Sequence, residues 1–174
     1  MTTLFQRLIA FSLIFTINSI FNVALAASTQ QPITIKILGV NDFHGQISTG
    51  RKFANRPIGG TAVYAAYLRA AEQNQETRTV IALMGDLVGA SVPASGLLNH
   101  ESSILFLNQL ANSYCHQDDR YNAKCNLVAT VGNHEFDRGQ QALFNLIYGT
   151  HQAPTNHWID MPEYPGTNFS GLVA

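Results

Sequence analysis

Three short apolar runs, each broken off by a burst of carboxylate, imidazole and amide side chains, constrain this chain more than any other feature. Ile33–Val40 ends in Asn41-Asp42-Phe43-His44-Gly45, Arg78–Met84 in Gly85-Asp86-Leu87-Val88-Gly89, and Leu127–Val131 in Gly132-Asn133-His134-Glu135-Phe136-Asp137. Runs this short and this rich in β-branched residues read as buried strands. Helical spacing fills the gaps between them. Gly59–Asn74 gathers Val63, Tyr64, Tyr67, Leu68 and Ala71 on one apolar face, with both tyrosines predicted in the core; Ser102 is placed to cap a helix through Asn112; Gln140–Tyr148 reads as a third helix. Strands alternating with amphipathic helices predict β-α-β units, hence an α/β fold with a mostly parallel sheet flanked by helices. Asn41–Ile58, the stretch after Met84 to about Glu101 (with Pro93 and Gly96 as breakers) and Gly149–Asn168 are predicted as loops, and Phe169–Ala174 as the start of a fourth strand.

Size and charge narrow the possibilities. At 174 residues the chain can bury the core of one domain. A formal charge of −1 with 12% charged residues offers no basic stripe, acidic tail or charge run, so no polymeric nucleic acid is expected as a partner. At the N-terminus, Arg7 precedes the apolar Leu8–Ile17, and Ala24-Leu25-Ala26 supplies the small residues of a cleavage site, which predicts a signal peptide over residues 1–27. Asn18, Ser19 and Asn22 interrupt the apolar run before it reaches spanning length, so no stable membrane span is expected after cleavage. The predicted location is therefore exported, periplasmic or extracellular. Cys115 and Cys125, an even pair ten positions apart in a polar connection, fit that route as a disulfide and lack zinc-knuckle spacing.

In open α/β sheets the ligand site lies beyond the carboxyl ends of the strands, where these three polar loops would converge. Asp42 and His44, one residue apart on a loop taken as extended, can point to the same side. Asp86 has two carboxylate oxygens with which to bridge two cations, and Asn133 adds a neutral oxygen to one of them. This thiolate-free set of oxygen and imidazole donors suits Mn, Zn, Co, Fe or Mg without choosing among them. Two divalent cations held about 4 Å apart would clamp a phosphoryl oxygen and activate a water for in-line attack on phosphorus. His134 and Asp137, three positions apart, can meet on one helical turn, where the carboxylate would orient the imidazole and favour its charged form. Such a pair suits proton transfer and stabilisation of developing negative charge. Glu135 and Phe136 are expected to pack or to support the other side chains. The remaining histidines, His100, His116, His151 and His157, are expected in loops or at the surface.

The three motifs in this order resemble the signature of the calcineurin-like metallophosphoesterases and, following a signal peptide, the exported bacterial 5'-nucleotidase and 2',3'-cyclic phosphodiesterase group within them. The resemblance runs from about Ile33 to Ala174 and implies a metal-dependent phosphoesterase that hydrolyses nucleotides or other small phosphoesters. Residue by residue it makes Asp42 and His44 ligands of one metal, Asp86 the bridge, Asn133 a ligand of the second metal, and His134 and Asp137 the catalytic pair. The family completes both metals with histidines in later Gly-His and Gly-His-x-His motifs, and neither motif occurs here. Residues 33–174 are accordingly expected to be the N-terminal part of the catalytic domain, a partial, truncated metallophosphoesterase sandwich. Two alternatives to the nucleotidase stay open: an inactive remnant that at most binds a divalent metal, and a related dinuclear hydrolase with another phosphate- or sulfur-linked substrate.

Overall fold

The structure, a computed structural model, describes residues 32–49, 51–72, 78–150 and 163–172. The chain divides into two units, Met1–Thr34 and Ile35–Ala174. All the elements below belong to the second; the predicted signal peptide, His151 and His157 lie outside the described residues.

Four strands, β1 (Lys36–Val40), β4 (Thr79–Met84), β5 (Leu127–Thr130) and β6 (Ser170–Leu172), form a sheet in the order β1-β4-β5-β6, every pair parallel. Parallel neighbours need crossover connections, and the helices supply them: α1 (Thr61–Glu72) after β1, α2 (Pro93–Gly96) and α3 (Glu101–Asn108) after β4, and α4 (Gln140–Tyr148) after β5. The predicted α/β architecture is thus the observed one, and the third helix has its expected bounds.

The differences have local causes. The first strand starts at Lys36, three residues later than predicted, because its ladder opens with the pair Lys36 and Thr79. The loop predicted over Asn41–Ile58 contains a short antiparallel hairpin, β2 (Arg51–Phe53) and β3 (Arg56–Ile58). Its turn residues Ala54 and Asn55 both have positive φ, the geometry of the two-residue turns that match strand twist. Pro93, predicted to break structure, instead occupies the first turn of α2, where its missing N–H costs nothing. Ser102 does not cap α3. The cap position falls on His100, and the Ser102 hydroxyl donates to the Ala94 carbonyl. Tyr64 packs against the core, but Tyr67 is 75% exposed, so only one of the two tyrosines is internal.

The core lies on one face of the sheet. Ile81, Leu83, Leu127 and Ala129 point there and meet Tyr64 and Leu68 of α1, Ile104 and Leu107 of α3 and Leu146 of α4. Period-2 alternation sends Ile37, Met84 and Thr130 to the opposite, exposed face. At the other end of β5 from the polar loops, Cys115 and Cys125 form the predicted disulfide. Asn126 beside it accepts from the Asn112 amide and donates to the buried Glu72 carboxylate, so the cysteine-bearing connection is tied to α1.

Candidate metal centre and proton-transfer pair

The loops leaving β1, β4 and β5 are fastened to one another by their own backbones. Beyond the end of β1, the amides of Asp42, His44 and Gly45 donate to the carbonyls of Gly85, Asp86 and Leu87 at 3.3, 2.9 and 2.9 Å, which prolongs the contact between the first two loops past the strands. Phe43, between the two candidate ligands, is buried and packs on Tyr64 and Phe106 with ring centroids 5.6 and 5.7 Å away. Its burial anchors the loop while its polar neighbours face outward.

Asp42 and His44 are not on extended backbone. Both have positive φ, 54° and 47°, and Asp86 has 50°. Left-handed backbone at a residue other than glycine costs of order 1–3 kcal/mol and gathers where the surrounding fold imposes it, commonly at functional sites. Three of the four positions read as metal ligands carry this backbone, an independent structural mark of the site; the fourth, Asn133, has φ −74°. Gly85 is required twice over: its φ is 83°, and a Cβ there would lie 2.6 Å from the Gly132 nitrogen.

Asp86 joins first and third loops. Its carbonyl accepts from His44, and its Oδ1 accepts from the His134 amide at 3.0 Å. Glu135 closes the arrangement from the other side. Its buried carboxylate accepts from the amides of Asp86 (3.0 Å), Leu87 (2.7 Å) and Gly132 (2.5 Å). Sequence reasoning gave Glu135 a packing or supporting role, and its contacts define that role as a clamp on the loops bearing Asp86 and His134. Phe136, grouped with it, is 46% exposed.

With the loops so held, one donor atom each of His44, Asp86 and His134 come within 4.8 Å of one another, close enough to surround a cation. The rings of His44 and His134 meet edge to face, centroids 5.0 Å apart. His44 Nδ1 sits 3.1 Å from the Gly89 carbonyl. A carbonyl only accepts, so Nδ1 carries a proton, and in the neutral ring Nε2 then presents a lone pair. Nε2 and Asp42 Oδ1 are 3.5 Å apart, a pair that a proton on Nε2 would join as an ion pair and that a cation between them would join as two ligands. The donor set thus fits a divalent metal. The Asn41 side-chain amide donates to the other Asp42 oxygen. Asn133 stands exposed one residue before His134, in the turn where its carbonyl accepts from Phe136.

His134 Nδ1 lies 2.7 Å from Asp137 Oδ2, the meeting expected from their spacing. This hydrogen bond, with the added charges of Asp137, Asp86 and Glu135, raises the His134 pKa above its ordinary value against a smaller opposing effect of desolvation. Gly89 brings the loops together again: a Cβ on it would fall 2.6 Å from His134 Cβ and 2.8 Å from Asp137 Oδ2.

His100 lies in the turn before α3, as expected of a loop residue, but it is not at the surface. It is 8% exposed, its ring Nδ1 is 3.2 Å from both Ser91 Oγ and Ser95 Oγ, and burial lowers its pKa, with Arg138 acting in the same direction and Asp137 against it. The only hint in the sequence was one histidine among several serines. His116 is exposed, as expected.

The centre has recognisable relatives. The chain is 31% identical over 138 residues to the cell wall protein Lmo0130 of Listeria monocytogenes, 28% over 152 residues to the endonuclease YhcR of Bacillus subtilis, and 28% over 150 residues to an uncharacterized protein in the pqq-V 5' region of Acinetobacter calcoaceticus. These alignments take in 74%, 83% and 79% of this chain but only 16%, 11% and 65% of the respective relatives. Residues 35–169, which hold every loop of the site, match the calcineurin-like phosphoesterase family, and on that match the chain belongs to the calcineurin-like phosphoesterases.

Proposed function

We propose that this chain carries the N-terminal part of the catalytic domain of a metal-dependent phosphoesterase of 5'-nucleotidase type, acting on nucleotides outside the cytoplasm. Family membership supports hydrolysis of a phosphoester. The observation that carries the reading is the convergence of His44, Asp86 and His134 beside a His134–Asp137 pair.

Asp42, His44, Asp86 and Asn133 would hold two divalent cations, Mn, Zn, Co, Fe or Mg. When bound, these supply Lewis-acid polarisation of a phosphoryl oxygen and lower the pKa of water. His134 plays a different part. Its hydrogen bond to Asp137 favours the imidazolium, so within the cluster His44 and Asp86 are the metal donors, and His134 beside them can donate a proton to the leaving oxygen and stabilise charge on the phosphoryl group. Asp86 positions His134 by accepting from its backbone amide, and Glu135 holds Asp86 from behind.

The disulfide and the resemblance to a cell wall protein support an extracellular or periplasmic site, reached through a signal peptide over residues 1–27. Among the described residues no helix is long and apolar enough to cross a membrane.

Phosphate release from AMP with added Mn2+, by a form that also supplies the rest of the catalytic domain, tests the proposal. The expected result is metal-dependent turnover that falls to background in Asp86→Ala. Equal turnover in the variant sinks it, and metal uptake without turnover in the parent favours a metal-binding remnant. The likeness to a protein named as an endonuclease favours a second substrate class, the internucleotide phosphodiester, so an oligonucleotide belongs in the same assay.

A further inference from the structure

His100 lies outside the metal-binding and proton-transfer groups, yet it is buried, polar and connected to them. It stands in left-handed backbone (φ 67°) immediately before α3, where its carbonyl accepts from the amides of Ser103 and Ile104 and its own amide donates to Ser95. This fixes the ring over the second loop. The Ser91 hydroxyl donates to the Gly89 carbonyl at 3.2 Å, so its single proton is committed there. Ser91 Oγ can then only accept from His100, and His100 Nδ1 must carry its proton, shared with Ser95 Oγ at the same 3.2 Å distance. Ser95 is held in turn by Ser103, their hydroxyls 2.6 Å apart, and both serines are fully buried.

The Gly89 carbonyl also receives His44 Nδ1–H. One oxygen therefore joins a candidate metal ligand to a hydroxyl that His100 orients. Next to His100, Asn99 accepts from Arg138, the residue after Asp137, so the same corner of the chain is tied to the third loop as well. A metal-binding imidazole is oriented and its tautomer set by what its other nitrogen bonds to.

We propose that His100 is a positioning residue for the metal site: through Ser91 it holds the Gly89 carbonyl, and that carbonyl keeps His44 in the tautomer whose Nε2 faces the cation. The proposal rests on the metal-dependent reading given above, and its test begins without metal. In metal-free chain with 15N-labelled histidine, long-range 1H–15N spectra report which nitrogen of His44 is protonated. The parent is expected to show Nδ1–H alone. His100→Leu, which removes the donor and keeps the volume, is expected to give a mixture of tautomers and to weaken Mn2+ binding by about tenfold or more, the usual effect of losing such a partner. His100→Asn, whose side-chain amide can replace Nδ1–H, is expected to recover most of both. Ser91→Ala breaks the relay in its middle with little loss of packing and serves if His100→Leu does not fold. An unchanged His44 tautomer with Mn2+ affinity within twofold of the parent in Ser91→Ala and in a folded His100 variant overturns the proposal. So does a His100→Asn no better than His100→Leu while Ser91→Ala is silent, since the ring would then only be packing. If the tautomer shifts as expected but even the parent takes up no Mn2+, the relay stands and the metal-dependent reading is what fails.

Discussion

Two histidines that both feel the charge of Asp137 are driven in opposite directions by their surroundings. His134 is pushed up by its hydrogen bond to Asp137, and His100 is pushed down by burial. The unfolded value of both is about 6.5. For His134, with the higher folded value, the stabilising contribution is complete below about pH 6.5 and disappears as the pH climbs through the folded pKa. For His100 it is present above about pH 6.5 and lost as the pH falls through the depressed folded value. In metal-free protein, an NMR titration of Asp137→Asn is expected to move the His134 midpoint down toward the ordinary value, with the His44 ring staying beside it. An unmoved midpoint would mean that Asp137 does not set the protonation of His134. The pairing itself was legible in the sequence, because a three-residue spacing on a helical turn fixes the neighbours. The environment of His100 was not, because its partners lie across a loop whose left-handed turns no periodicity announces.

Among the elements, the segment between β5 and α4 is the one on which the site depends. Its short 3-10 turn, His134–Phe136, aims His134 and Glu135 in different directions, one to the site and one inward. Glu135 is the acceptor for three backbone amides of two loops, and an unsatisfied buried donor costs about 1–3 kcal/mol. Glu135→Ala is therefore expected to lower unfolding stability by about 3 kcal/mol or more in a urea titration, and Glu135→Gln, which keeps one acceptor oxygen, by a smaller amount. A loss below about 1 kcal/mol in the alanine variant would show that the clamp does not hold the loops. The strands and the last helix could be read from apolar periodicity, but the hairpin Arg51–Ile58 could not: its six strand residues are all exposed and carry no alternation of apolar and polar side chains.

At the scale of the whole molecule, the sheet is covered unequally. Helices pack on the face of Ile81, Leu83 and Leu127, while Ile37 is 68% exposed and Met84 55% exposed on the other. Exposed apolar sheet surface next to strand β1, which has a partner on one side only among the described residues, invites association. Ile37→Thr keeps a β-branched side chain on the strand and is expected to reduce light scattering on concentration while shifting unfolding stability by no more than about 0.5 kcal/mol, as for other surface substitutions. Scattering unchanged by the variant would place the sticky surface elsewhere. The sequence by itself determined the order of the four sheet strands and the three longer helices, the disulfide and the placing of each polar group at a strand's carboxyl end, because these follow from local periodicity and from the spacing of a few residues. Only the tertiary structure decided that His44, Asp86 and His134 share one space, that Glu135 faces inward and that His100 is linked to His44, because those relations arise from hydrogen bonds between loops more than 40 residues apart, a distance over which no local pattern carries information.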